Sequence, residues 1–308
     1  MLGDYRVIDL TDERGHLAGL LLRQLGAEVI AIEPPDGSTA RRRGPFAGDR
    51  EDSERSLHHW SYNRGKRSVV LDLETAEGRS DLHRLIAGAD VLIENCSSEE
   101  RLRLGLEPTE VQAANAALIH ASITAFGTTG PKADWAATDL TIQASCGNMV
   151  LTGDKDRPPL RVGTLAQAFH NAASEAAVAV LIALYERQHR SGLGQHIDAS
   201  AQQSMNHCAQ SMMMAVPNNA AMTTRIAGGA NLQGIDIQLM WPCKDGHVSV
   251  TLLFGLMIAP FTQNLLNWVC EEGFCDEATR DKDWVNYAVM LLDGREPVAE
   301  YERVKGVL

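Results

Sequence analysis

With 308 residues, 44% of them hydrophobic and 22% charged, the chain has apolar material for one large or two ordinary domains. A formal charge of −12 argues against nonspecific nucleic-acid binding, which rests on neutralising phosphates with Lys and Arg. Six cysteines without CxxC spacing and ten histidines without HExxH spacing predict no metal site and reduced thiols in a cytoplasmic protein, and no apolar run reaches the roughly 18 residues of a membrane span.

The first third alternates strand and helix. "YRVIDLT" reads as a short apolar strand, "HLAGLLLRQLG" as an amphipathic helix and "AEVIAIE" as a second strand. Beyond the loop "EPPDGSTARRRGPFAGDRED", "RSVVLDL" is a strand, "AEGRSDLHRLIAGA" a helix and "DVLIENC" a strand. "PTEVQAANAA" is a helix capped by Thr109, and "LIHASITAFG" completes the set. Strands separated by helices of this length predict an α/β fold of parallel βαβ units with helices on both sheet faces. From "TDLTIQASCGNMVLTG" the pattern is helical to about Pro217, and "AQAFHNAASEAAVAVLIALYERQHRSGLGQHID" reads as one long helix followed by a turn. "NLQGIDIQLMWPCKDGHVSVTLL" reads as a β-hairpin turning at "KDG", and "LFGLMIAPFTQNLLNWVCEEG" returns to helix.

The segment "VIDLTDERGHLAGLLLRQLGAEVIAIE" has the outline of a dinucleotide-binding unit ending in the acidic Glu33. That fingerprint needs closely spaced glycines, so that the backbone can approach a pyrophosphate. Only Gly15 and Gly19 are present, so no NAD is expected, and Glu33 reads as a strand-end acid with a structural partner.

Seven segments in register carry a resemblance: "LGAEVIAIEPPDGSTARR", "NRGKRSVVLDLETAEGR", "ADVLIEN", "LGLEPTEVQAANAALIHASITAFGTTGP", "DLTIQA", "LTGDKDRPPL" and "ALYERQHRSGLGQHIDAS". Through them the chain resembles the class III CoA-transferase family, the CaiB/BaiF group that includes formyl-CoA transferase, carnitine CoA-transferase and 2-methylacyl-CoA racemase. The resemblance implies a Rossmann-like large domain over residues 1–205, the start of a small α+β domain over 206–308, and an interlocked dimer. It also implies acyl-CoA and carboxylic acid substrates, with CoA passing between carboxylic acids. Members of the family are typically longer, with a C-terminal part that returns to the large domain.

The resemblance further implies where CoA lies. "ARRRG" places Arg41, Arg42 and Arg43 in a loop after a strand, where planar guanidinium groups suit phosphate. Lys66, with Arg67 beside it, matches a family lysine near the adenosine. Asn95 matches an asparagine lining the groove at a strand end. Arg103 and Leu104 match a segment flanking the pantetheine. "CSSEE" replaces the family's usual continuation after Asn95, and its glutamates would repel a polyphosphate.

Family transferases use an aspartate in the first turn of the helix leading into "ALYER". Its carboxylate attacks the thioester and forms a mixed anhydride, releasing CoA thiolate. Here that position falls on Ala168 or Phe169, and no Asp or Glu lies between Asp156 and Glu175. The racemase pair is broken too, because Thr138 precedes Asp139 where that pair has a histidine. Two substitutes offer themselves. His170 is a base or nucleophile beside the vacated position, or else a packed helical histidine. Glu175 lies further along the helix with Asn171 at i,i+4 spacing, or else forms an ordinary ion pair. Met212, Met213 and Met214 read as core in preference to an acyl pocket, and Gly228–Gly229 as a short version of the family's mobile glycine loop. Three outcomes stay open: a transferase with a substitute group, a silent subunit whose homologous partner supplies the aspartate, and a non-enzymatic acyl-CoA-binding protein. Racemase and thioesterase activities follow behind.

Overall fold

The computed structural model describes residues 1–164, 166–215, 217–219, 225–226 and 228–308. The chain divides into two compact units, residues 1–149 with 161–220 and residues 150–160 with 221–308, where the sequence pattern placed a division at 205/206.

In the first unit the elements are β1 (Arg6–Leu10), α1 (His16–Gln24), β2 (Glu28–Glu33), α2 (Leu57–Asn63), β3 (Arg67–Val70), α3 (Ala76–Ala87) and β4 (Val91–Glu94). They continue with α4 (Ser98–Arg103), α5 (Pro108–Ala114), β5 (Ile119–Thr124), α6 (Asp139–Ser145), α7 (Gln167–Glu186), β6 (His196–Ser200), α8 (Ala201–His207) and α9 (Gln210–Met213). The six strands form one parallel sheet in the order β3-β2-β1-β4-β5-β6, a doubly wound arrangement.

Alternation along the strands explains how both faces are covered. Val7, Val29, Ile93 and Ile123 point toward one core, shared with α1, α6, α7 and α8. Their neighbours Ile8, Ile30 and Leu92 point to the other, shared with Leu82 and Ile86 of α3 and Val111 of α5. Strands buried on both faces become near-continuous apolar runs, as "VIDL" and "VLIE" are.

Three sequence expectations change. "HIDAS" is not a turn after the long helix but the sixth strand, paired in parallel with β5. Helix α5 is not capped by Thr109; it starts after Glu107 with Pro108 in its first turn, where the missing N–H costs nothing. The segment Gln167–Ser191 is long and apolar enough to cross a membrane, contrary to the expectation that none is. Half of its most apolar window is buried inside the protein, chiefly through small residues (Ala168, Ala172, Ala173, Ala176, Ala177) that bring α7 close to α1 and the sheet.

Under α1 lies a buried polar frame. The Lys66 ammonium donates to Asp9 Oδ2 at 2.8 Å, to the His16 carbonyl at 2.9 Å and to Asn63 Oδ1 at 2.9 Å. The Lys66 and Asp9 side chains are 1% and 0% exposed, so the pair depends on this complete set of partners. Gly19 makes room for it: a Cβ there would stand 2.1 Å from Asp9 Oδ2. His16 Nδ1 faces the Asn63 amide at 3.2 Å and its Nε2 faces the Thr11 carbonyl at 3.0 Å, an arrangement that suits the neutral ring. Burial accordingly pushes the His16 pKa down to about 4.

The second unit carries two antiparallel hairpins, β7 (Gly229–Leu232) with β8 (Ile235–Gln238) and β9 (Met240–Cys243) with β10 (Gly246–Ser249). The predicted "KDG" turn joins the latter pair; the sequence pattern had suggested a single hairpin. Four helices follow: α10 (Ala259–Glu271), α11 (Glu277–Arg280), α12 (Tyr287–Leu292) and α13 (Val298–Lys305). Its core gathers Trp241, Leu266, Trp284, Tyr287 and Tyr301.

Candidate active site: a groove along the strand ends

Open parallel sheets bind ligands outside the carboxyl ends of their strands, where the strand order reverses. Here that point lies between β1 and β4, and the loops that follow them are stitched together. Asn95 accepts the Asp12 N–H at 2.9 Å and returns its own amide to Asp12 Oδ1 at 2.7 Å. Two cavities open beside the stitch. One, of about 580 Å³, runs past Pro34, Leu71, Leu73, Asn95 and Leu104. The other, of about 510 Å³, runs past Asn95, Thr124, Trp135 and Phe169. Arg14, Asn95, Cys96 and Glu100 line both, so the two form one continuous groove.

The turn Asn95–Ser97 is held from beneath. Glu94 Oε2 accepts the Cys96 N–H at 2.6 Å, while Arg101 donates to Glu94 Oε1 at 3.3 Å and to the Cys96 carbonyl at 3.1 Å. The Glu94 and Arg101 side chains are buried, and the buried His120 ring stands 3.4 Å from Glu94. Burial raises the Glu94 pKa, but His120 and Arg101 outweigh it and hold the carboxyl below its usual range. Burial pushes the Cys96 thiol up, and Glu94 and Glu100 push it further, so Cys96 lines the groove as a neutral thiol and not as a nucleophile. Glu100, feared as a repellent, closes a capping box with Ser97 at the start of α4.

The structure sorts the sequence-predicted residues into separate places. Asn95, Arg103 and Leu104 line the larger cavity; Arg103 also pairs with Glu74 at 3.0 Å. Arg41, Lys66 and Arg67 line a different, smaller cavity of about 120 Å³. Arg41 grips Glu33 with two hydrogen bonds of 2.6 and 2.9 Å, and this guanidinium holds the Glu33 carboxyl down to about 2 against burial. Glu33 thus has its structural partner. Arg67 pairs with Glu28 at the surface, and Arg42 donates to the Asp36 carbonyl at 3.0 Å.

At the vacated position, Ala168 and Phe169 are 0% and 4% exposed. The Ala168 N–H donates to Asp139 Oδ1 at 2.7 Å, and Asp139 Oδ2 accepts the Gln143 amide at 2.6 Å, so a carboxylate from α6 caps the start of α7. The Phe169 ring lines the second cavity beneath the Arg14 guanidinium, 5.7 Å from the ring centre. His170 turns to the Tyr62 ring at 5.3 Å, and burial, aided by Arg43 and opposed by Asp139, lowers its pKa. Glu175 bonds Ser204 at 2.6 Å and His207 at 2.8 Å beside another cavity, which shares no residue with the groove. Among the described residues no cluster of three or more His, Cys, Asp or Glu could hold a metal ion.

Residues 2–283 match the model of CoA-transferase family III. The chain belongs to this family. It is 34% identical over 291 residues to the succinyl-CoA:(R)-benzylsuccinate CoA-transferase subunit BbsE of Thauera aromatica, covering 92% of this chain and 68% of that one. It is 38% identical to the succinate–glutarate CoA-transferase of Agrobacterium fabrum, covering 67% of this chain and 54% of that one. The solved structure of a CaiB/BaiF family protein from Brucella suis superimposes with a TM-score of 0.76 at 29% identity, over 94% of this chain and 75% of that one. The family III chain spans about half to two thirds of the length of these curated relatives.

Arg14 and Asp12 were missed at the sequence level. Their one sequence signal is position, directly after the first strand.

Proposed function

We propose that this chain binds a CoA thioester along the strand-end groove and serves as the non-nucleophilic subunit of an enzyme that moves CoA between carboxylic acids. CoA's adenosine end lies toward Leu71 and Leu73, its pantetheine passes Leu104 and Asn95, and its thioester end reaches the second cavity toward Phe169. The observation that carries this reading is the contrast within one groove. The binding wall is assembled, while the first turn of α7 holds a buried Ala168–Phe169 pair where the family has its aspartate. A second, homologous chain supplies that carboxylate. Its oxygen attacks the thioester carbonyl, the C–S bond breaks and CoA leaves as thiolate; the acceptor carboxylate then attacks the aspartyl carbonyl of the resulting anhydride, which expels the donor carboxylate and leaves a new aspartyl–acceptor anhydride. The thiolate then attacks the acceptor acyl group of the new anhydride and releases the aspartyl carboxylate. The similarity to a chain named as a subunit supports this division of labour.

The test is native mass spectrometry and turnover of the untagged protein isolated from its own host. A complex with an aspartate-bearing relative, active only when both chains are present, is the expected result. A homo-oligomer that transfers CoA unaided overturns the proposal.

A further inference from the structure

Arg14 occupies an unusual place in the groove. It follows β1 at the point of strand reversal, lines both cavities, and stands over the Phe169 ring of the second. Its guanidinium is locked in orientation: Nε donates to both Asp12 oxygens at 3.0 Å and Nη2 to Asp12 Oδ2 at 2.7 Å. Asp12 is in turn fixed by Asn95, and although burial raises its pKa, the Arg14 guanidinium holds it below the usual range. The fork is therefore half engaged and preorganised. Among the described residues Nη1 has no hydrogen-bond partner, and the side chain is 45% exposed.

The other charges around the second cavity sharpen the point. Arg101, the other cation lining it among the described residues, is buried and tied to Glu94 and Cys96. The acids Glu99, Glu100 and Asp134 stand along the same cavity, with Glu100 tied to Ser97. Among the described residues that line this cavity, Arg14 is therefore the cation with an unused edge, and Lys132 stands outside the lining over the Trp135 ring. A planar guanidinium with an unused edge recognises a carboxylate, with a geometry that an ammonium lacks.

We infer that Arg14 is a specificity-determining residue that binds a carboxylate at the far end of the acyl group, so that the thioester accepted here is the mono-CoA ester of a dicarboxylic acid. The inference rests on the proposed placement of CoA in the groove. It separates two sources of one anion chemistry: the acyl carboxylate and the CoA phosphates.

The experiment is titration calorimetry of the protein as isolated, with any chain that copurifies, against CoA, butyryl-CoA and succinyl-CoA, for wild type and Arg14→Gln. Wild type is expected to prefer succinyl-CoA over butyryl-CoA by about ten- to a hundredfold, the range of a charge-assisted hydrogen bond. Arg14→Gln should erase that preference, weakening succinyl-CoA at least about tenfold more than CoA or butyryl-CoA, while Arg14→Lys restores part of it. Equal weakening of all three ligands in Arg14→Gln would assign Arg14 to the CoA phosphates and overturn the inference. So would a wild type without preference between the two acyl-CoAs. A wild type that binds none of the three sinks the CoA-binding reading itself, a result distinct from either.

Discussion

Two regions that meet where the Arg14 guanidinium stands 5.7 Å from the Phe169 ring centre follow opposite rules. At the strand reversal, Asp12, Arg14 and Asn95 are polar, mutually bonded and open to the groove. At the start of α7, Ala168 and Phe169 are apolar and sealed, and the helix end is satisfied by Asp139 from another element. On the proposed function, recognition and reaction are separable properties of this fold, with the groove assembled and the attacking group supplied by another chain.

The comparison can be broken most forcefully from underneath. Lys66→Met strands the Asp9 carboxylate in the interior and should cost about 3–5 kcal/mol, read as a fall in denaturant midpoint. If stability holds and only CoA affinity falls, Lys66 belongs to the binding wall and not to its foundation. Acid should act next. The His16 pKa lies at about 4 in the fold against 6.5 when free, so the unfolded chain takes up this proton first. The stability it contributes is complete above pH 6.5 and is lost as pH falls toward 4, a change of about 3 kcal/mol. Urea titrations at stepped pH would show it, and His16→Gln should flatten the curve.

Cutting the stitch itself is a smaller perturbation. Asn95→Ala leaves the Asp12 N–H without its acceptor and should cost about 1–3 kcal/mol, while weakening CoA binding more than Phe169→Leu does. Equal affinities for the two variants would erase the distinction between the two regions. The least effect belongs to Glu175→Ala. Its pair with His207 is half exposed, so stability should move by about 0–1 kcal/mol, and turnover of the assembled enzyme should not change. A large loss of turnover would return Glu175 to the chemistry.

The legibility of the sequence follows burial. Strands β1, β2, β4 and β5 announce themselves because both faces are covered and apolar residues run together, while the exposed edge strand β3 is legible only from its β-branched Val69–Val70 pair after the "NRGK" turn. Strand β6 hides because "HIDAS" lies at the sheet edge, half exposed, and continues from a helical pattern. Asn95 is readable as a groove residue because it sits beside a strand end, whereas Arg103 and Leu104, at the end of α4, are placed by the family resemblance alone. Lys66 invites an outward reading, since a lysine before a strand is normally solvated; its partner Asp9 is 57 positions away, and no local pattern links them. Arg14 is silent for a similar reason: its meaning lies in the strand order, which a linear chain does not display.

Gly19 gives the buried frame a history as well as a shape. Because a methyl group there would collide with Asp9, and Lys66 needs Asp9, residues 9, 19 and 66 are not free to drift one at a time. A lineage that changes one of them passes through a less stable intermediate unless the others change with it. The trio therefore constrains substitution as a unit, a coupling that the apolar first turn of α7 does not share.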